Sequence, residues 1–172
     1  AKMIEADCAV SEKSGRVFTV GNIGNPPLQF LNDLTADDWC VVELSSFQLQ
    51  DLTVSPHIAV VLNVTSDHMD YHVDHAEYVT AKMPIVAHQK KFDFVVVNQD
   101  YPYSSAFTKI APAMPYFVST RSEVARGAFV QNGDIFLRIT DQVPLRLCSV
   151  QDVGLIGPHN LENITAATVA AT

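Results

Sequence analysis

The sequence predicts an α/β fold: a doubly wound, mostly parallel sheet with a small antiparallel section. Three observations carry that expectation. Continuous apolar runs recur at 39–45, 58–64 and 93–100, the pattern of central strands buried on both faces. Segments with helical spacing alternate with them. Past residue 115 the pattern changes to alternation around Asn132-Gly133, a strong hairpin signal.

Taken in order, residues 1–15 read as the tail of an amphipathic helix closed by Gly15. "RVFTVGN" (16–22) reads as a short buried strand. "PPLQFLNDL" (26–34) has proline at a helix start and apolar spacing suited to one face. Strands follow at 39–45 and 58–64, then a helix over 75–89. Pro84 removes a backbone donor and crowds Thr80, which predicts a kink or break just after Lys82. A strand over 93–100 comes next. Residues 116–120, 127–139 and 143–148 are expected to form the antiparallel section. The final run, "NLENITAATVAAT", is helix-like. Both ends fall in helix-like runs, so a truncated piece of a longer protein is expected.

The chain has 172 residues, of which 48% are hydrophobic and 17% charged, enough apolar side chain for a core in one domain. The net charge of -8 argues against general nucleic-acid or anionic-membrane binding. It leaves room for a nucleotide, because phosphates are held by local amides, a few cations and metal ions. Cys8, Cys40 and Cys148 are far apart and odd in number, which predicts a reducing, cytoplasmic setting. No apolar run reaches membrane-spanning length.

In a doubly wound sheet, ligands bind beyond the carboxyl ends of the strands. The apolar runs end in Gly21-Asn22-Ile23-Gly24, in Glu43-Leu44-Ser45-Ser46 and in Asn63 to His68. Position alone leaves Glu43 open between a solvent-facing carboxylate and a ligand for a hard cation. Taken alone, His68 reads as a surface histidine. His72 and His75 lie near it, but the HExxH glutamate is missing, and Asp70 and Asp74 suit loop acids or helix caps. A local zinc site is not favoured. Lys82 would ordinarily be a solvated helix lysine. Gly21-x-x-Gly24 is half a dinucleotide fingerprint and fits better as a tight turn presenting Asn22. The Walker A pattern is absent, and no Gly-Lys dipeptide occurs.

Together, "GNIGNPP" (21–27), "VELSSFQLQ" (42–50), "LNVTSDHMDYH" (62–72), "YVTAKMPI" (78–85) and "GPHNLEN" (157–163) resemble the central domain of the Mur ligases. These are the ATP-dependent amino-acid ligases of peptidoglycan synthesis. "ELSSFQL" points within the family to the D-glutamate-adding members. The resemblance implies ATP, Mg²⁺, UDP-N-acetylmuramoyl-L-alanine and D-glutamate as ligands, and a monomer. It implies Glu43 as ligand of a Mg²⁺ bridging the ATP phosphates and His68 as ligand of a second. It implies that Lys82 is carbamylated and turned into an oxygen donor for a metal. Asn22 would stand near the γ-phosphate and the substrate carboxylate. Ser45 and Gln48 would line the muramoyl-alanine substrate, and Asn160, Asn163 and His159 the adenine. His72 and His75 would be bystanders. The family's P-loop is expected just before residue 1, with further domains on both sides, so these residues alone should be inactive. Another ligase of the same superfamily and a non-catalytic nucleotide-binding module are the rival readings.

Overall fold

The computed structural model describes residues 1–10, 15–65, 73–140, 142–155 and 157–172. The apolar runs become parallel strands: residues 94–98 are buried on both faces as expected, whereas residues 39–43 are mostly exposed. β1 (Val17–Gly21) pairs in parallel with β2 (Trp39–Glu43), in a register that sets Gly21 opposite Glu43. A second sheet runs in the order β3 (Ile58–Val61), β4 (Phe94–Asn98), β5 (Met114–Ser119), β6 (Gly127–Gln131), β7 (Asp134–Arg138), β8 (Leu145–Ser149). Pairs from β3 to β6 are parallel, and β6–β7 and β7–β8 are antiparallel. The Asn132-Gly133 hairpin forms as expected, with φ of 51° and 81°.

The helices are α1 (Lys2–Val10), α2 (Ser46–Leu49), α3 (His75–Lys82), α4 (Pro84–Ala87), α5 (Pro102–Ala106) and α6 (Pro158–Ala170). Alternation along the strands sorts the core into two layers. Ala59, Val61, Val95 and Val97 face one way, onto Tyr78 of α3, Val86 of α4 and Phe107. Val96, Val118 and Ala128 face the other way, onto Ala166 and Val169 of α6. The buried positions Glu162, Thr165, Ala166 and Val169 recur at helical spacing and form the inner stripe of α6. Helices thus cover both faces of the parallel part, which is the doubly wound arrangement.

Four expectations need correction. The strand over 116–120 is β5, and it is parallel to both neighbours rather than part of the antiparallel section. The α5 segment between β4 and β5 carries the chain back, as a parallel crossover requires. The helix expected over 26–34 reduces to a 3-10 turn at Pro27–Gln29, with Leu28 and Leu31 81% and 63% exposed. Of its apolar residues Phe30 packs on Phe18, ring centres 5.1 Å apart, while Leu28 and Leu31 face outward, and so short a helix cannot stand alone. The strands also stop earlier than their apolar runs, at Glu43 and Val61. Finally, β1 and β2 form their own sheet, separate from β3. The break after Lys82 occurs as predicted: Met83 separates α3 from α4, and Pro84 opens α4. The predicted end of the first helix falls among residues 11–14, outside the described residues.

The two sheets run in the same direction with a slot between them. At the amino ends, Trp39 and Ile58 line a cavity of about 280 Å³ together with Ile4 of α1 and Val169 of α6. At the carboxyl ends, Leu44 and Leu62 line a second cavity of about 110 Å³. Among the described residues β2 pairs with β1 alone and β3 with β4 alone. Val42 and Val60, on these two strands, are 43% and 37% exposed.

Gly21 holds β1 against β2. Its φ is +106°, and a Cβ there would stand 2.1 Å from the Glu43 carbonyl oxygen. Gly133 has φ +81° but open space around it. Gly21→Ala should therefore cost about 2–3 kcal/mol or more, and Gly133→Ala about 1 kcal/mol, in urea unfolding. Equal costs would show that backbone conformation alone matters at Gly21.

The sheet's opposite edge is pinned by Asp93, which is buried. Its carboxylate contacts His57 Nδ1 at 2.8 Å and accepts the Lys90 N–H at 2.5 Å. The His57 hydrogen bond, then the Lys90 amide, hold the Asp93 pKa below its ordinary value. A depressed carboxylate pKa stabilises the fold above the unfolded-state value, and that contribution fades as pH falls through the folded-state value. Asp93→Asn should lower unfolding free energy at neutral pH and flatten its decline below about pH 4. An unchanged slope in acid would remove Asp93 from the account.

Candidate functional site

Parallel pairing brings the carboxyl ends of β1 and β2 side by side. The Asn22 amide donates to the Glu43 carbonyl at 3.0 Å, directly beyond the Gly21–Glu43 register pair. Asn22 and Glu43 are both exposed at this edge. Among the described residues no hydrogen bond or ion pair engages the Glu43 carboxylate. An uncommitted carboxylate at the end of an apolar strand is a fitting donor for a hard cation that also takes phosphate oxygens.

Ser45 and Gln48 are held together. Both the backbone amide and the hydroxyl of Ser45 donate to Gln48 Oε1, at 2.9 and 3.0 Å. Gln48 thereby caps α2, while Ser46 and Leu49 anchor that helix inward. The S-x-x-Q spacing of a capping box was the signal for this role in the sequence.

Lys82 is the last residue of α3. Its Nζ lies 4.6 Å from the centre of the Tyr78 ring. The side chain also lines the smaller cavity, with Leu44, which follows Glu43, and with Asn63 and Val64, which lead out of β3. Lys82 therefore reaches the carboxyl edge between the ends of β2 and β3. His68 and His72 belong to 66–72, outside the described residues. His75 opens α3 with its ring 4.3 Å from that of Tyr103. Asp74 accepts the Glu77 amide at 2.8 Å, and Glu77 accepts the Val73 amide at 2.6 Å, a reciprocal helix cap. These residues of the histidine-rich stretch carry structural duties. Among the described residues no group of three or more His, Cys, Asp or Glu gathers closely enough to hold a metal alone.

α6 runs back along the sheet. Its last residues line the cavity at the amino ends of the strands, so its first turns lie at the carboxyl edge. His159 and Asn163 are exposed there and Asn160 is half-buried. Beneath them Glu162 is 9% exposed and accepts the Tyr101 hydroxyl at 2.8 Å. Sequence reasoning missed Tyr101 and Glu162. The one trace of them was a carboxylate on the inward stripe of α6, where a partner is required.

The edge thus offers a free carboxylate, a lysine, backbone turns and two helix asparagines to one side of the sheet. That chemistry suits a phosphorylated ligand with a divalent cation. No helix among the described residues is long and apolar enough to cross a membrane.

Residues 2–171 match the Mur ligase middle domain. The UDP-N-acetylmuramoylalanine--D-glutamate ligase of Listeria innocua is 38% identical over 94% of this chain and 34% of its own length. The ligase of the same name from Leuconostoc mesenteroides is 40% identical over 90% of this chain and 33% of its own. The chain spans about a third of the length of these relatives. Among solved structures, MurF from Acinetobacter baumannii aligns over 99% of this chain and 39% of its own, with a TM-score of 0.65 at 17% identity. MurF ligase from Thermotoga maritima in complex with ADP aligns over 98% and 41%, with a TM-score of 0.61 at 20% identity. At that identity the two structures speak to the fold alone. The family match over almost the whole chain, joined to relatives at this identity, establishes that these 172 residues belong to the Mur ligase family and correspond to its middle domain.

Proposed function

We propose that the whole protein is an ATP-dependent ligase of peptidoglycan synthesis that joins D-glutamate to UDP-N-acetylmuramoyl-L-alanine. The observation that carries this reading is the exposed Glu43 carboxylate at the carboxyl end of β2, next to Leu44, which lines one cavity with Lys82, in a Mur ligase middle domain. The names of the relatives and the "ELSSFQL" stretch support D-glutamate as the incoming amino acid.

A carboxylate is a poor electrophile. The alanine carboxylate would attack the γ-phosphorus of ATP, releasing ADP and leaving an acyl phosphate. The amine of D-glutamate would then attack the acyl carbon, expel phosphate and lose a proton. Glu43 would hold one Mg²⁺. His68 and a carbamylated Lys82 would serve a second. Bound Mg²⁺ would offset the crowding of phosphate and carboxylate charge. Asn22, fixed beside Glu43 by its amide, would orient the γ-phosphate and the substrate carboxylate. Ser45 and Gln48 would line the muramoyl-alanine site, Ser45 held by the bond that caps α2. His159, Asn160 and Asn163 would contact the adenine.

The phosphate-cradling loop and the domains that bind the other substrates would come from outside these residues. The open slot between β2 and β3 supports a further strand supplied there. We place the whole protein in the cytoplasm, as a monomer acting on small molecules.

The test is phosphate release by the whole protein given ATP, Mg²⁺ and UDP-N-acetylmuramoyl-L-alanine. D-glutamate should support release, whereas L-glutamate, L-lysine and meso-diaminopimelate should not. Glu43→Gln should reduce the rate about 100-fold or more. Release with another amino acid would move the specificity within the family. No release with any would favour a non-catalytic module.

A further inference from the structure

Glu162 poses a question of placement. A carboxylate on the buried stripe of a helix is costly unless a partner meets it. The partner is Tyr101, 61 residues away, in the loop just past β4. As acceptor, Glu162 raises the pKa of the Tyr101 phenol, which keeps the hydroxyl a donor.

Tyr101 is itself held in a larger network. The neighbouring Asp100 accepts the Ser119 hydroxyl at 2.5 Å and the Thr120 amide at 2.9 Å, which ties the end of β4 to the end of β5. Asp100 donates its own amide to buried Asn98 at 3.0 Å. Ser119 in turn accepts the amides of Arg121 and Ser122. The Arg121 guanidinium lies 5.6 Å from the centre of the Tyr101 ring. The carboxyl ends of β4 and β5 are thus one braced platform, and the Tyr101 hydroxyl extends it to α6. Glu162 sits between Asn160 and Asn163 in the sequence of α6. Whatever fixes Glu162 fixes the helical turn from which both asparagines project.

We infer that Tyr101 is a positioning residue for the nucleotide: its hydrogen bond to Glu162 sets the first turns of α6, and with them Asn160 and Asn163, against the ends of β4 and β5. The inference rests on the proposed contact of those asparagines with adenine. Tyr101 touches no reacting atom, so its loss should weaken nucleotide binding and leave the chemical step alone.

The experiment uses the whole protein and ADP as the probe, with binding measured by calorimetry well below the melting temperature. Tyr101→Phe keeps the ring and removes the hydroxyl. ADP affinity should fall about five- to tenfold, and KM for ATP should rise by a similar factor, with kcat within about twofold. Removing the donor also leaves a buried carboxylate unpaired, so the melting temperature should drop. Glu162→Gln in the Tyr101→Phe background relieves that charge. It should recover much of the melting temperature without restoring ADP affinity. Affinity that returns together with the melting temperature would reduce the pair to a stability role and overturn the inference. Wild-type affinity in Tyr101→Phe itself would also overturn it. If the wild-type protein binds no ADP, the nucleotide reading fails first, and the inference with it.

Discussion

Parallel strand pairing is the constraint on which the rest depends. Parallel strands end on the same side, so the exits after β1 and β2 share one edge of their sheet and those after β3 and β4 one edge of theirs, and the cavity lined by Leu44, Leu62 and Asn63 joins the β2 and β3 exits. The β1–β2 register sets Gly21 opposite Glu43, and the turn that follows puts Asn22 against the Glu43 carbonyl. The β3 exit brings Asn63 and Val64 to the cavity that Lys82 lines. The β4 exit brings Tyr101 to the first turns of α6. Backbone geometry thus carries residues far apart in the sequence to strand and helix ends, before any side-chain preference acts.

That dependence explains what the sequence could reveal. The apolar runs were readable as parallel strands, and β4 is buried on both faces, but the exposure of β2 was not readable, because an apolar run does not say what covers it. The Asn132-Gly133 turn was readable, because left-handed backbone is locally encoded. The break after Lys82 followed from the chemistry of proline. The β5 pairing was not readable, since a half-buried strand looks alike in either direction. The 26–34 segment misled for a related reason. An apolar stripe shows that a helix could pack, not that a surface exists to receive all of it, and among the described residues of this segment only Phe30 finds an aromatic partner, Phe18. The sheet division between β2 and β3 had no local sign at all, because pairing across a slot is a tertiary property.

The candidate site divides in the same way. Glu43 and Asn22 were visible as polar groups ending apolar runs, and the strands deliver both to the same edge. Ser45 and Gln48 stood out as a motif, yet their first physical duty here is to bond each other and cap α2. His75 and Asp74 belonged to a conspicuous cluster and prove to be an aromatic contact and a helix cap. Tyr101 and Glu162 were invisible for the opposite reason. Neither belongs to a pattern, and only the packing of α6 on β4 and β5 brings them within 2.8 Å.

The central claim is that phosphate and metal chemistry occurs at this carboxyl edge, with Glu43 as a metal ligand. Anomalous diffraction from crystals of the whole protein grown with Mn²⁺ and ADP tests it most directly. The account predicts a manganese peak about 2.2 Å from a Glu43 carboxylate oxygen, on the side of the sheet that Lys82 lines. Ordered ADP with its manganese away from Glu43 would contradict it.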